Sequence, residues 1–289
     1  MKGASKMEVL AMTIDGKLTY CTASPENRGK GRCNHVAHQN ENESNEEFVR
    51  RITADLVKQA TNNRNEEILN LSSQEKLEMI GNDKSLDVLV NDKDLNIRVE
   101  VARKGFGLEK LINDKDWNVR RAVAEQGYGL DKLVNDSDPD VCKAVAEQGY
   151  GLDKLIDDCY YGTREAVAKQ GFGLDKLIND EDFRVRVAVA EQGYGLDRLI
   201  NDDDPDVRTA VAEQGYGLEK LVDDTYWTVR KAVAEHGYGL EKLINDRDRD
   251  VRAAVARQGY GLNKLANDSN RIVREAVEKA KIDFKDKAS

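Results

Sequence analysis

The chain repeats itself every 22 residues, and this period limits it to a small set of folds. If the first glycine of each Gly-Tyr-Gly or Gly-Phe-Gly is taken as position 1, eight copies follow one another without a slip. The copies begin at Gly105, Gly127, Gly149, Gly171, Gly193, Gly215, Gly237 and Gly259. A ninth, degenerate copy at residues 83–104 lacks the glycine pair, so we expect it to cap the array. A constant period of this length is typical of repeat proteins, in which each unit packs only on its neighbours.

Each unit is predicted to form two short helices. Leucines at positions 4 and 7, usually followed by Ile or Val at position 8, give the first helix one apolar stripe over about two turns. Aspartate at position 12 is a typical helix N-cap, and Pro139 and Pro205 follow it at the first helical position. The second helix has its core stripe at positions 15, 18 and 19 and ends at the next glycine. Because helices this short are unstable alone, we predict a mainly α fold, a right-handed α-solenoid.

The recurring strings VRxAVA and LxxLxND resemble those of the leucine-rich repeat variant family, a relative of the HEAT-like helical repeats. The resemblance covers residues 83–280. It implies an α-helix paired with a 3₁₀-helix in each unit, and a curved superhelix. At least one member of that family holds an iron–sulfur cluster on clustered N-terminal cysteines. Here the N-terminus has only Cys21 and Cys33, so a four-cysteine cluster is not expected.

Three further columns of the repeat are nearly constant. Position 10 is Asp in every copy, and position 16 is Arg in every copy except one, where Cys142 stands. We expect these arginines to form a ladder with the aspartates rather than a stripe for nucleic acid. The aspartates are expected to cap and shape loops, and the alternative is that they bind a basic partner or cations. Position 2 is Tyr in six copies and Phe at Phe106 and Phe172, which predicts a packed aromatic ladder.

Variation is concentrated at positions 11, 13, 14 and 17, and both tryptophans of the protein fall at position 13. On a helix, positions 13, 14 and 17 lie together and opposite the core stripe, so they should face solvent. Exposed aromatic side chains and arginines commonly anchor interfaces. The predicted partner-binding residues are Trp117, Asn118, Arg121, Tyr161, Phe183, Arg184, Trp227, Lys231, Arg249 and Arg271.

The competing interpretation is that these exposed positions vary because nothing constrains them. Position 6 is also expected to be exposed, yet it stays Lys or Arg in every copy. This difference between two exposed positions favours diversification of a binding face over drift.

The N-terminal segment predicts a β-hairpin and a metal site. The string EVLAMTIDGKLTYC alternates around Asp15-Gly16, a common two-residue hairpin turn. The spacing C-x11-C-x-H-x2-H then places two thiols and two imidazoles within 18 residues. Such a set suits a closed, tetrahedral, structural zinc site, and the alternative is free thiols and surface histidines in a mobile loop. The predicted zinc ligands are Cys21, Cys33, His35 and His38.

The chain is expected to divide into four segments. Residues 1–40 form the hairpin and zinc module, and residues 41–82 form a polar linker followed by helices that cap the repeats. This second segment has an apolar helical stripe, Phe48, Val49, Ile52 and Leu56, and a capping box from Ser72 to Glu75. Residues 83–280 are the repeats, and residues 281–289 are a C-terminal tail.

The composition favours some functions over others. The net charge of −9 falls mainly in the repeats, which therefore repel nucleic acid overall. We found no apolar run long enough for a membrane span and no signal peptide, so we expect a cytoplasmic protein with no membrane partner. Within the repeats His236 is alone, and no nucleophile pair can be proposed.

The leading hypothesis is a non-enzymatic scaffold that binds a protein or peptide through the variable face. The alternative is a nucleic-acid-associated protein that uses the zinc module and the arginine ladder. A metal-dependent hydrolase using His35 and His38 ranks third, because four protein ligands would leave no open position on the metal for water.

Overall fold

A computed structural model describes residues 8–14, 17–23, 35–40 and 42–286 of the protein. Over these ranges the fold is mainly helical, with three strands and twenty helices. The chain divides into two compact units, Met1–Asp92 and Lys93–Ser289. This division falls inside the degenerate first copy of the repeat.

The N-terminal unit contains a small antiparallel sheet. Its strands, β1 (Glu8–Ile14), β2 (Lys17–Ala23) and β3 (His35–His38), lie in chain order. Ile14 pairs with Lys17 and Glu8 pairs with Ala23, which confirms the predicted hairpin. The Asp15-Gly16 turn lies outside the described residues. Strand β3 was not predicted from the sequence.

Three helices complete this unit: α1 (Asn45–Leu69), α2 (Ser73–Gly81) and α3 (Leu86–Leu89). On α1, Phe48 and Ile52 are buried as the helical spacing predicts, whereas Val49 is exposed. Helix α2 begins at the predicted capping box, in which the Ser72 hydroxyl accepts from the Glu75 backbone N–H and the Glu75 carboxylate accepts from the Ser72 N–H.

In the second unit, one-turn helices alternate with longer ones. The long helices are α4 (Leu95–Arg103), α6 (Trp117–Glu125), α8 (Pro139–Glu147), α10 (Tyr161–Lys169), α12 (Phe183–Glu191), α14 (Pro205–Glu213), α16 (Trp227–Glu235), α18 (Arg249–Arg257) and α20 (Arg271–Asp286). The short helices are α5 (Leu108–Leu111), α7 (Leu130–Leu133), α9 (Leu152–Leu155), α11 (Leu174–Leu177), α13 (Leu196–Leu199), α15 (Leu218–Leu221), α17 (Leu240–Leu243) and α19 (Leu262–Leu265). Each long helix packs on the next one along the chain, as in an α-solenoid.

The first helix of each unit is shorter than the two turns predicted for it. In α5 and the residues after it, the N–H groups of Asn113 and Asp114 bond to carbonyls three residues back, at Lys110 and Leu111. Such i to i+3 bonds tighten and end the helix after a single α-helical turn.

The Gly-Tyr-Gly element ends one unit and begins the next. In the second copy, Gly127 and Gly129 both have positive φ, 71° and 61°. The N–H of Gly127 bonds to the carbonyl of Ala124, and that of Tyr128 to the carbonyl of Val123. This pattern is a Schellman motif, which confirms the predicted helix-ending turn.

The second glycine of the element also lies against the preceding unit. A Cβ atom on Gly129 would clash with the Cδ1 atom of Ile112, at position 8 of that unit. Successive units therefore approach each other closely at this point, where glycine adopts the left-handed backbone angle without strain.

The core of the repeats lies where the periodicity predicts it. The position 7 leucines are at most 3% exposed, and positions 15, 18 and 19 are buried in a unit such as that of Val119, Ala122 and Val123. These long helices bury mostly valine and alanine, so the core consists of small side chains layered between successive units.

Truncating one core leucine should destabilise the array. Leu199→Ala removes a buried side chain and leaves a cavity, so it should lower the free energy of unfolding by about 2–5 kcal/mol. Chemical denaturation followed by circular dichroism measures this loss. Val187→Ala, at a half-buried variable position, is the control and should have a much smaller effect. An unchanged midpoint for Leu199→Ala would contradict the register of the repeat.

Candidate partner-binding face

Successive units are joined by arginine–aspartate pairs. Nε and Nη2 of Arg208 donate to both carboxylate oxygens of Asp224 in the next unit, at 2.7 and 3.0 Å. Nη1 of the same arginine donates to the backbone carbonyl of Asp202 in its own unit, at 2.7 Å. The same bidentate pair recurs along the array and confirms the predicted ladder. The pairs are Arg98–Asp114, Arg120–Asp136, Arg164–Asp180, Arg186–Asp202, Arg208–Asp224, Arg230–Asp246 and Arg252–Asp268.

The ladder changes chemistry at two places. In the N-terminal unit, Lys76 Nζ lies 2.8 Å from Asp92, the position 10 aspartate of the degenerate copy, and both side chains are buried. In the second copy, Cys142 replaces the arginine, and its Sγ atom lies 3.3 Å from the backbone carbonyl of Asp136. Burial and nearby carboxylates raise the pKa of the Cys142 thiol to about 11, so this cysteine stays protonated.

The arginines of this ladder are engaged inside the protein. Their guanidinium groups are mostly buried, and their three nitrogens bond to protein oxygens in a unit such as that of Arg208. They therefore do not offer a free basic stripe to phosphates, which removes one of the two features on which the nucleic-acid alternative depends.

The constancy of position 6 has a structural cause. Its Lys or Arg reaches back to the Asn or Asp at position 9 of the preceding unit, as Lys220 does to Asn201. The other described pairs are Lys132–Asn113, Lys176–Asp157, Arg198–Asn179, Lys242–Asp223 and Lys264–Asn245. Position 6 is exposed as predicted but is held by a bond between units, so its constancy does not favour diversification of the variable positions over drift.

The variable window, defined as positions 11–14 and 17 of each unit, lies around the N-terminal end of each long helix. Position 13 is the first helical residue. Trp227 is 41% exposed, whereas Trp117, Tyr161 and Phe183 are half-buried. The window is thus an accessible band, but its rings are partly covered by their neighbours.

Three of the predicted binding residues form one cluster across two units. The guanidinium carbon of Arg184 lies 4.6 Å from the ring centroid of Tyr161 and 4.7 Å from that of Phe183. Arg121 makes a similar contact with Trp117 in its own helix, at 5.2 Å. These are cation–π distances, so the arginines of the window order its aromatic rings.

The remaining predicted residues make local contacts. Asn118 bonds to its capping aspartate, Lys231 lies 3.5 Å from Glu235 on the same helix, and Arg249 lies 3.8 Å from Asp250. Arg271 forms an exposed pair with Glu275. The exposed ion pairs among these contacts contribute little to stability.

Two aromatic residues of this face were missed from the sequence. Tyr160 and Tyr226 occupy position 12, the N-cap of α10 and α16, where neither side chain caps the helix. Tyr226 is 51% exposed, and the Tyr160 ring lies 5.0 Å from that of Tyr161. In five other copies an aspartate at this position caps the helix. The signal was present in the sequence, since a tyrosine replaces a good capping residue twice.

The aromatic column at position 2 differs from the packed ladder predicted for it. Each of these rings is about 40% exposed, and each belongs to the residue that closes a Schellman motif. An apolar residue at this place commonly packs against its own helix, which explains the constant aromatic character without a ladder of stacked rings.

Three of the four predicted zinc ligands lie on neighbouring strands. Cys21 on β2 is adjacent to Thr22, which pairs with His35 on β3, and His38 pairs with Thr19. Cys33 lies outside the described residues. Among the side chains that are described, no group of three or more His, Cys, Asp or Glu residues is placed to hold a metal ion.

In comparisons with known proteins, no protein-family model and no curated protein matches this chain. In the described part of the chain, no helix has the length and apolarity needed to cross a membrane.

The ladder should make the stability of the repeats depend on acid. Burial alone would raise the pKa of Asp224, but the Arg208 guanidinium and the Tyr226 N–H hold that pKa below its usual value. The ionised carboxylate therefore stabilises the fold above the unfolded-state pKa of about 3.9, and this stabilisation is lost as the pH falls through the lower, folded-state pKa.

Asp224→Asn should thus be destabilised at pH 7, by about 2–3 kcal/mol, because it weakens a bidentate pair and leaves a mostly buried guanidinium with poorer partners. The difference from wild type should shrink below about pH 4. Urea denaturation at several pH values measures it, with exposed Asp203→Asn as the control. A difference that does not change with pH would contradict the role of the ionised pair.

Proposed function

We propose that this protein is a non-enzymatic binding scaffold that recognises a protein or peptide partner through the variable window, at positions 11–14 and 17. The observation that carries this proposal is the pair of exposed aromatic residues, Tyr226 and Trp227, at a helix N-terminus where most units have a capping aspartate.

The loss of the caps supports a function at this face. A capping aspartate contributes about 0.5–2 kcal/mol, and both Tyr160 and Tyr226 forgo it. An aromatic side chain at an exposed position also adds apolar surface without burying it fully. Binding residues that reduce the stability of the free protein are typical of functional sites.

The contacts of His236 and Cys142 support a scaffold rather than an enzyme. His236 Nε2 lies 2.9 Å from the carbonyl of Glu213, and Gln258 makes the corresponding contact with Glu235 one unit later. The histidine therefore replaces a structural glutamine. The thiol of Cys142 is buried and its pKa is raised, which makes it a poor nucleophile.

A protein partner fits the face better than nucleic acid does. The window combines aromatic rings with exposed carboxylates such as Asp203 and Asp206, and the array as a whole is acidic. Nucleic acid remains the second candidate, and its binding would depend on the N-terminal module. The two can be separated because phosphate binding weakens steeply with salt, whereas binding anchored by aromatic residues need not.

The quadruple variant Trp117→Ala, Tyr161→Ala, Phe183→Ala, Trp227→Ala should lose its partner and keep its fold. The rings lie outside the valine and alanine core, so the helical signal should persist and melting should shift only modestly. Interface aromatics commonly contribute about 2 kcal/mol or more each, so capture should fall by orders of magnitude.

The measurement is a pull-down from source-cell lysate, identified by mass spectrometry, beside thermal melting. Tyr194→Phe, which places at position 2 the residue found there in two other copies, is the control and should change neither property. If the quadruple variant retains every partner, the window is not the binding face. If it unfolds at a much lower temperature, the rings are structural.

The right-handed superhelix and the zinc module are further parts of this proposal. The zinc module rests on the spacing of Cys21, Cys33, His35 and His38, and a metal site would stabilise a segment too small to have much core of its own. We expect the purified protein to hold about one zinc ion per chain. Elemental analysis of wild type and Cys33→Ser measures it, and metal near zero in both would rule the site out.

A further inference from the structure

Positions 12 and 13 of the variable window repeat with a longer period of three units, as do positions 2 and 9 outside it, whereas positions 11 and 17 do not. Residues 105–170 (module 1) and residues 171–236 (module 2) show the same order of substitutions. Position 2 reads Phe, Tyr, Tyr in both modules, position 9 reads Asn, Asn, Asp, and position 12 reads Asp, Asp, Tyr. Position 13 reads Trp, Pro, Tyr in module 1 and Phe, Pro, Trp in module 2. The last two copies, residues 237–280, do not follow this order.

The two modules therefore share an aromatic feature at positions 12 and 13, although their side chains at positions 11 and 17 differ. Each ends in an aromatic pair, Tyr160-Tyr161 or Tyr226-Trp227, on an uncapped long helix. Each pair follows a Pro-Asp sequence at the start of the preceding long helix. The exact side chains differ at position 13, but the aromatic class is kept, as is the loss of both caps. Stacking of the units does not require the aromatic pair or the loss of the aspartate cap, so their joint recurrence in both modules favours a role in binding.

The chemistry of each surface suits a basic and apolar element. Tyr226 lines one groove with the exposed Asp203, whereas Asp223 and Asp224 in the same groove are bound by Lys242 and Arg208. A second exposed carboxylate, that of Asp206, lies at the start of the preceding long helix. In module 1, Asp140 stands at the same position as Asp206 of module 2, and burial, Tyr161 and the Asp140 carboxylate raise the pKa of Tyr160. The rings already accept guanidinium groups of the protein itself, since the Arg208 guanidinium carbon lies 5.6 Å from the Tyr226 centroid. A cation that lies on an aromatic ring beside a carboxylate gains a cation–π interaction from the ring and a charge–charge attraction from the carboxylate.

The arrangement of the modules restricts the form of the partner. Both modules run in the same direction along one stack of helices, three units apart. At about 8–10 Å per helix layer, equivalent points are about 24–30 Å apart. A partner that is a two-fold symmetric dimer would present its two binding elements in opposite directions. It therefore does not match two modules that run in the same direction. An extended chain advances about 3.3 Å per residue, so it covers the interval in about seven to nine residues.

We propose, on the basis of the proposed function, that the two modules bind one extended peptide segment that carries a basic and apolar motif twice in tandem, about seven to nine residues apart.

The test uses a phage-displayed library of random 20-residue peptides, selected on the full-length protein. Enriched peptides should carry the motif twice at this spacing. Synthetic peptides cut to one copy should bind about 100-fold or more weakly, because the second contact is intramolecular in the tandem peptide. Enriched peptides with one motif, or with acidic motifs, would overturn the inference.

Two matched variants each remove the aromatic pair of one module and leave the other module unchanged. One is Tyr160→Asp with Tyr161→Ala, and the other is Tyr226→Asp with Trp227→Ala. Each aspartate restores the cap found in other units, so neither variant should melt below wild type. Each should weaken the tandem peptide to about the level of the single copy, and the two together should abolish binding.

The selected peptides and the two variants test the two-module binding and the binding face separately. If peptides are enriched but only one variant weakens them, the modules are not equivalent and the inference fails while the binding face stands. If no peptide is enriched on wild type over the variant with both modules changed, the inference fails, and the window loses its support as a peptide-binding face.

Discussion

The rest of the repeat array depends on the bidentate pair between an arginine of one unit and an aspartate of the next. A unit of 22 residues has one short and one longer helix, and neither could stay folded alone. The pair fixes the register between units, since Arg208 reaches Asp224 with two nitrogens and its own loop with the third. The Lys or Arg at position 6 adds a second bond across the same boundary. Each unit is thus built to meet only its neighbours.

Both of these bonds and the glycine contact lie away from positions 13, 14 and 17, so the window takes little part in holding the units together, although some of its side chains meet across units, as Arg184 and Tyr161 do. Its residues can change while the contacts between units stay the same. The N-terminus of the long helix presents these residues at the same place in every unit. The result is a band in which aromatic rings, arginines and carboxylates alternate. The tyrosines at the N-caps show that this band also departs from what local stability favours.

The break in the ladder at Cys142 shows how the frame tolerates change. The thiol is too short to reach the next unit and instead lies near the carbonyl of Asp136. The helices on either side still pack on each other, and the Thr163 hydroxyl in α10 lies 3.4 Å from the carbonyl of Pro139 in α8. Small residues at Gly162 and Thr163, both buried, accompany this contact. One ion pair can therefore be lost where the adjoining helices provide other contacts.

The sequence by itself determined the period, the helix ends and the core, because these follow from local rules. Glycine at a left-handed position, aspartate before a helix and apolar residues at helical spacing have the same meaning in any fold. It also indicated that position 16 pairs with position 10. Only the tertiary structure decided that the partner is in the next unit, that Lys220 is held by Asn201, and that the position 2 rings are exposed. The first two depend on how neighbouring units stack on each other, and the third on how each ring packs, and no pattern within one unit contains either.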